Sequence, residues 1–404
     1  MNPIQLFSLL RWESDYPPIL SDSYPIHLNK VKHHLSDLLW TSGIDYPEQV
    51  SEIKVLIEAL QAPSYERLLK GPSLYRVIGP ESDLSYLKRL EFVSDFLKAE
   101  ICLIKRENTF NKELWTSLND YYIPKNERAF KRELIQNNDH KKSQFYMASV
   151  IEDSLVLDFE SDWVKKDEPK SGVLNGPFSA YSKEEKDLIT KKVKDALEII
   201  NKTAPVAGKL IKNFTKVIQF RKKEKTGISS EQVPREIGTI RISNAHKEEM
   251  TLLNLMDYLI HESLHNFLCI YENNFLKFAV YERNLKVRPV SPWSGNAIPH
   301  MAFTHAVFIY FGLYSFFEEL ESVVLKKPES LGQSIDLKEV REKMLNVSFG
   351  FRRGPQIREY LKGIGQTDES ILNLWDLFKK DIDESCDAKL KNQKEKKKFI
   401  ELVS

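Results

Sequence analysis

The feature that most constrains the fold is a long apolar segment at residues 248–273. It is apolar nearly all the way round a helix, which is typical of a helix buried in a protein core. Its polar exceptions are spaced by three or four residues and form one stripe: Asn254, Asp257, His261 and His265. Unpaired polar groups inside a protein cost free energy, so a stripe of this kind needs partners. The segment therefore predicts a buried helix that holds a polar site.

The stripe contains the sequence His261-Glu262-Ser263-Leu264-His265, which has the pattern HExxH. The two imidazoles lie one helical turn apart and can bind a single metal ion. Glu262 points to an adjacent face, where it can act on a metal-bound water. The alternative is a pair of buried histidines that are satisfied by hydrogen bonds alone. The pattern favours a metal site, with Glu262 as the candidate catalytic residue.

A catalytic site of this type needs a third protein ligand. The longer pattern HExxHxxGxxH is excluded, because Leu268 and Tyr271 stand where it requires glycine and histidine. His305 is a candidate in the apolar run MAFTHAVFIYFGL, with His300 as its rival on another face. A glutamate from a later helix is also an option: Glu282, Glu318 or Glu319. Three histidines would suit zinc or non-haem iron, so the ligands alone do not choose between hydrolysis and oxygen chemistry.

The rest of the chain predicts an α+β protein that is predominantly helical. Helices are expected from about residue 28 to residue 138, and again from residue 246 to the end. Loops are expected at residues 165–177, 286–299 and 349–354, where glycine, proline and polar residues accumulate. The buried HExxH helix falls in the C-terminal half.

A small sheet is predicted between the helical parts. One strand begins near residue 149, and the runs KVIQF (216–220) and GTIRIS (238–243) predict neighbouring strands. Ser182 and Glu185 have the spacing of a capping box, which predicts a helix start. We expect three regions along the chain: a helical N-terminal region at 1–148, a connecting region at 149–204 and a metal-binding catalytic region at 205–404.

Composition excludes several classes of protein. The 59 Lys and Arg residues balance 58 Asp and Glu residues, so no basic field attracts nucleic acid. Three cysteines without paired spacing indicate neither a disulfide framework nor a cysteine zinc site. The apolar run at 297–317 contains Pro299 and two histidines and ends in glutamates, which favours a core helix over a membrane span. Without the features of a secretory signal at its start, the chain is expected to be cytoplasmic, with no nucleic-acid or membrane partner.

The residues that follow the HExxH segment resemble a known family, the HExxH-type iron- and 2-oxoglutarate-dependent peptide β-hydroxylases of peptide-modifying pathways. That family has a loop similar to SPWR-x-D-x-RP, and then a helix with a histidine followed by a small residue. This chain has Ser291-Pro292-Trp293 in the loop and Thr304-His305-Ala306 in the helix, with the spacing from tryptophan to histidine kept. The resemblance covers about residues 238–317.

The resemblance implies a reaction and a ligand set. His261, His265 and His305 would bind Fe(II), with 2-oxoglutarate as the cosubstrate. An unactivated carbon, the β carbon of a peptide or amino-acid-like substrate, would be hydroxylated. Glu262 would orient a histidine or a water, and Trp293 would belong to the cofactor-binding loop.

The chain departs from the family at the arginines of the loop, which are replaced by Ser294 and Ile298. A 2-oxoglutarate enzyme needs a cation for the distal carboxylate of the cosubstrate. We choose Arg288 and Arg353 for this role, and the other candidates are Arg241 and Arg352.

Two other functions stay open at this point. One is a zinc metallopeptidase in which Glu262 is the general base for a zinc-bound water. The other is a non-catalytic binding protein that has kept the fold. In such a protein the loop arginines would be absent because the cosubstrate is no longer bound. Consumption of 2-oxoglutarate separates the hydroxylase from both.

Overall fold

The computed structural model describes residues 3–13, 20–106, 148–152, 155–161, 164, 179–223, 226–233, 235–281, 288–326, 328–331, 335–353, 355–363 and 365–389. Within these ranges the chain is mostly helical with a small mixed sheet, which confirms the predicted α+β class.

The chain forms two compact units that interleave in the sequence. The sheet unit comprises Ser21–Lys194 and Ile211–Thr251, and the histidine unit comprises Met1–Leu20, Asp195–Leu210 and Leu252–Ser404. The regions expected at 1–148, 149–204 and 205–404 stay a prediction about organisation along the chain.

Helices dominate the first hundred residues. They are α1 (Pro3–Leu10), α2 (Ser23–Ser42), α3 (Pro47–Glu58), α4 (Ala62–Leu69), α5 (Pro72–Ile78) and α6 (Tyr86–Arg106). Each of the helices α3, α4 and α5 has one proline at its first or second position, where the fixed φ and missing N–H of proline suit a helix start. Apolar residues of α2 to α6 form a shared core in the sheet unit. The predicted helices are confirmed here, and those expected at 107–138 lie outside the described residues.

The sheet has five strands: β1 (Ser149–Ile151), β2 (Leu155–Asp158), β3 (Val217–Arg221), β4 (Ser229–Gln232) and β5 (Thr239–Ser243). Their order is β1-β2-β3-β5-β4. The predicted neighbours β3 and β5 pair in parallel, with Val217 opposite Thr239. Both are completely buried, which suits central strands. The polar strand β4 was not predicted, because its sequence SSEQ has no β signal and its pairing with β5 is a tertiary contact.

The capping box is confirmed at the start of α7 (Lys183–Thr203), which is followed by α8 (Pro205–Phe214). The Glu185 backbone N–H donates to Ser182 Oγ at 3.2 Å, and the Ser182 N–H donates to Glu185 Oε2 at 2.8 Å. The two bonds satisfy donors that a helix start leaves free. The loop predicted at 165–177 lies outside the described residues.

The histidine unit contains the HExxH helix. Its elements after α8 are α9 (Leu252–Asn274), β6 (Ala279–Tyr281), α10 (His300–Lys326), α11 (Leu337–Arg353), α12 (Pro355–Gly363), β7 (Gly365–Thr367) and α13 (Glu369–Lys389). Helices α9 and α10 come close at Gly312, where an added Cβ would lie 3.0 Å from Leu264 Cδ1. The Trp12 indole N–H donates to the Gly312 carbonyl at 2.9 Å, which ties the N-terminal segment to α10.

The loop predicted at 349–354 is wrong. Helix α11 continues through these residues to Arg353, with Phe351 buried against Trp375. The helix ends before Pro355, whose ring disfavours a helical conformation at the preceding residue. Glycine in this segment favours a loop, but a single glycine such as Gly350 only weakens a helix that packing holds.

No helix in the described part of the chain combines the length and apolar character needed to cross a membrane. The apolar residues of α10 are instead buried in the histidine unit, including Phe308, Phe311 and Phe316.

Candidate metal centre

The polar stripe of the HExxH segment is the partly exposed side of α9. Asn254, Asp257, His261 and His265 are each partly exposed, whereas the apolar residues around them are buried. Glu262, on the adjacent face, is buried with 4% exposure. The stripe is therefore on an open side of the helix rather than enclosed in the core as predicted. This leaves the histidines accessible to a ligand.

His261, Glu262 and His265 form a group that could hold a metal ion. One ligand atom from each lies within 4.8 Å of the other two. Burial, and then the neighbouring His261 and His305, hold the pKa of His265 well below its usual range. His265 is therefore neutral at neutral pH, and a neutral imidazole offers the lone pair that a metal requires.

Helix α10 brings His305 to this group. The side chain is fully buried, and its Nδ1 lies 3.4 Å from Nδ1 of His265. Two nitrogens that each bind one ion at about 2.1 Å lie about 3.0 to 3.4 Å apart in octahedral or tetrahedral geometry. The observed distance fits a pair of ligands on one ion. His305 adjoins the HExxH group through His265.

Glu272 orients His305, and sequence reasoning missed it. Its Oε2 lies 2.8 Å from His305 Nε2, and its Oε1 accepts the Phe278 backbone N–H at 2.9 Å. Burial is the largest single influence and acts to raise the pKa of Glu272, but the hydrogen bond and charge of His305, the Phe278 N–H and the charge of Lys277 together lower that pKa below its usual value. The ionised carboxylate can only accept, so the proton resides on Nε2 and the lone pair of Nδ1 faces His265. Because Glu272 follows His265 by two helical turns, extending the stripe would have found it.

We expect Glu272→Gln to weaken metal binding by about 10- to 100-fold, although it keeps the shape of the side chain. If the amide oxygen accepts the Phe278 N–H, the amide NH₂ faces His305 Nε2 and must donate to it. The ring proton then moves to Nδ1, where it blocks the lone pair. The dissociation constant for the metal, from competition with a chelator, measures the effect.

A matched control is Glu321→Gln, a buried glutamate of the same unit that pairs with Arg341. It should leave the metal affinity unchanged. Equal affinities of wild type and Glu272→Gln would contradict the orienting role.

The rival ligands lie elsewhere. His300 begins α10 and contacts the Tyr360 hydroxyl through Nδ1, and the planes of the two rings are nearly parallel, 4° apart. Glu318 forms an ion pair with Arg11 at 2.8 Å, and Glu319 is exposed. Glu282 lies outside the described residues.

The SPW loop contacts the centre through an aromatic stack. Trp293 stacks on Tyr310 with ring centroids 4.4 Å apart, and Tyr310 meets the ring of His261 edge-on at 5.6 Å. The indole N–H of Trp293 donates to the Val347 carbonyl at 2.9 Å. Gly295 has a φ of +69°, which favours glycine and closes the loop into a tight turn. Trp293 thus supports His261 through Tyr310, while its own polar group is engaged with α11.

The choice of arginine for the cosubstrate stays a prediction, and the described contacts of the candidates are as follows. Arg288 is exposed, and the side chain of Arg353 lies outside what is described. Arg352 pairs with Asp383 at 3.5 Å. Arg241 belongs to the sheet unit, where its Nε donates to Gln219 at 2.8 Å.

No protein-family model matches this chain, and no curated protein matches it. The resemblance to the hydroxylases therefore rests on the HExxH pattern, the SPW loop and the histidine of α10.

Proposed function

We propose that this chain is an Fe(II)- and 2-oxoglutarate-dependent oxygenase that hydroxylates an unactivated carbon, the β carbon of a peptide or amino-acid-like substrate. The observation that carries the proposal is the 3.4 Å approach of His265 Nδ1 and His305 Nδ1. It brings the histidine that follows the SPW loop next to one histidine of the HExxH pair. His261, His265 and His305 are the ligand set that the resemblance implies. Three imidazoles suit iron as they suit zinc, so the choice of iron rests on the resemblance.

In the proposed reaction, Fe(II) with 2-oxoglutarate and dioxygen supplies the oxidising power that an unactivated C–H bond requires. The protein would position the metal and the substrate and would exclude bulk water from the reaction. His261, His265 and His305 would hold the ion, and Glu272 keeps His305 in the tautomer that can bind it. Glu262 would orient a histidine or a water beside His261.

The surroundings of the ligands suit a reaction that must exclude bulk water. His305 is fully buried, and Tyr310, on which Trp293 stacks, contacts the ring of His261. The partly exposed side of α9 leaves one direction of approach for a substrate. Cys269 and Cys386 are buried and belong to no disulfide, and the net charge is +1. Both features suit a cytoplasmic protein that has no nucleic-acid partner.

A zinc metallopeptidase is the second candidate, and the position of Glu262 favours it. The carboxylate belongs to the group of ligand atoms that all lie within 4.8 Å of one another. A carboxylate at that distance can accept a proton from a metal-bound water and act as a general base.

An anaerobic titration tests the proposal. Metal-free protein receives Fe(II) and then 2-oxoglutarate, and we expect the weak visible charge-transfer band of a chelated 2-oxo acid. Succinate, which lacks the 2-oxo group, is the matched control and should give no band. On exposure to air the loaded protein should convert 2-oxoglutarate to succinate.

Stoichiometric metal binding without a band would contradict the oxygenase. Cleavage of peptides by the zinc-loaded protein, abolished by Glu262→Gln, would then support the peptidase. A protein that binds no metal at all would indicate that His265, His305 and Glu272 form only a hydrogen-bonded chain.

A further inference from the structure

An ion pair lies one helical turn from the candidate metal centre. Lys343 of α11 forms a salt bridge with Asp257 of α9. Asp257 precedes His261 by four residues on the partly exposed side of α9, and side chains at this spacing are neighbours, about 5 to 6 Å apart at Cβ. The ammonium group is therefore held close to the HExxH histidines.

A second set of contacts places the same face of α11 beside the centre. Val347 follows Lys343 by one turn, and its carbonyl accepts the indole N–H of Trp293. Trp293 stacks on Tyr310, which in turn contacts the ring of His261. Helix α11 is thus connected to the region of His261 by two separate sets of contacts. One is its salt bridge with Asp257, and the other is its hydrogen bond with Trp293.

The exposure of the pair shows which partner faces outward. The side chain of Lys343 is 27% exposed, and that of Asp257 is 15% exposed. An ammonium has three N–H donors, and Asp257 accepts one of them in the described part of the chain. Asp257 thus holds the Lys343 ammonium from the more buried side. The other N–H groups of the ammonium can donate to an anionic ligand.

Tyr258 adds a neutral donor beside Asp257. Burial, and then the charges of Asp257 and Glu262, raise the pKa of the Tyr258 hydroxyl to about 12. This hydroxyl therefore keeps its proton at neutral pH, and a phenol hydroxyl can donate a hydrogen bond to a carboxylate.

We propose that Lys343, fixed by Asp257, binds the distal carboxylate of 2-oxoglutarate in place of the arginines that the loop lacks. This inference rests on the proposed function. In 2-oxoglutarate the distal carboxylate oxygens lie about 5 Å from the 2-oxo carbon, since each C–C bond is about 1.5 Å. That length is comparable to the single helical turn between Asp257 and His261, so a 2-oxoglutarate molecule chelated to a metal on the histidines would be long enough to span the interval to the ammonium.

The test compares two 2-oxo acids of equal chain length by anaerobic titration of the Fe(II)-loaded full chain. 2-Oxoglutarate has the distal carboxylate, and 2-oxovalerate has a methyl group there. Wild type should bind 2-oxoglutarate more tightly by about 10- to 100-fold, the contribution of a hydrogen-bonded charge pair. Lys343→Met should abolish this preference and leave the dissociation constant of 2-oxovalerate unchanged, and Lys343→Arg should restore part of it.

The control variant is Lys338→Met, an exposed lysine of the same helix that pairs with Glu342. It should keep the wild-type preference. If Lys343→Met keeps the preference too, the inference is overturned and the oxygenase proposal stands. If the variant binds neither acid, Lys343 only supports the fold, and the inference is again overturned. If wild type forms no band with either acid, the inference and the proposed function both fail.

Discussion

Replacing His305 by alanine should weaken metal binding by more than about 100-fold, beyond the usual effect of losing a residue that merely orients a ligand. The variant removes a nitrogen that lies 3.4 Å from His265 Nδ1, and it leaves the Glu272 carboxylate buried without its partner. A metal held only by the HExxH pair loses one of the protein ligands that a catalytic site requires. Competition titration with a chelator measures the change.

His300→Ala is the matched control, since His300 belongs to the same helix but contacts Tyr360. It should bind metal as wild type does. Because His305→Ala also removes buried contacts, its unfolding transition is recorded alongside. A folded variant with wild-type metal affinity would exclude His305 as the third ligand.

Substituting Gly350 by alanine should destabilise the histidine unit by about 1 to 3 kcal/mol. An added Cβ would lie 2.0 Å from Nε1 of Trp293 and 2.2 Å from its Cδ1. A tryptophan ring that stacks on Tyr310 and donates to Val347 cannot yield by that amount without breaking those contacts. The opposing effect is helix propensity, which alone would favour alanine by about 1 kcal/mol. Thermal or denaturant unfolding gives the net change.

A double-mutant cycle separates the clash from other effects of the substitution. In the Trp293→Leu background the smaller side chain leaves room for a methyl group, so Gly350→Ala should cost less there than in wild type. Asn346→Ala, at an exposed position of the same helix, should leave stability nearly unchanged. A Gly350→Ala protein more stable than wild type would contradict the tight packing of Trp293. We also expect weaker metal binding, because Trp293 supports His261 through Tyr310.

Several features could be predicted from the sequence because they depend on residues near one another in the chain. The spacing of apolar residues predicted α9, and the HExxH spacing predicted the pair of histidines on one of its sides. Ser182 and Glu185 predicted a helix start for the same reason, since the capping box closes within four residues. The β-like runs KVIQF and GTIRIS predicted β3 and β5 as neighbouring strands.

Local reasoning failed where long-range packing outweighs a local signal. Gly350 indicated a turn, but packing of α11 against Trp293 requires a helix with no side chain at that position. The polar strand β4 exists because β5 offers it backbone partners. Lys343 belongs to no motif, and only the tertiary structure pairs it with Asp257 of α9.

The HExxH pattern alone established that two imidazoles share one side of a helix, because a helical turn separates them whatever the rest of the chain does. Only the tertiary structure decided which nitrogen of His305 faces His265. That choice depends on Glu272, which is 33 residues from His305 in the chain, and on the crossing of α9 and α10 that brings them together. A tautomer is set by a hydrogen bond, and a hydrogen bond between distant residues exists only after the helices have packed.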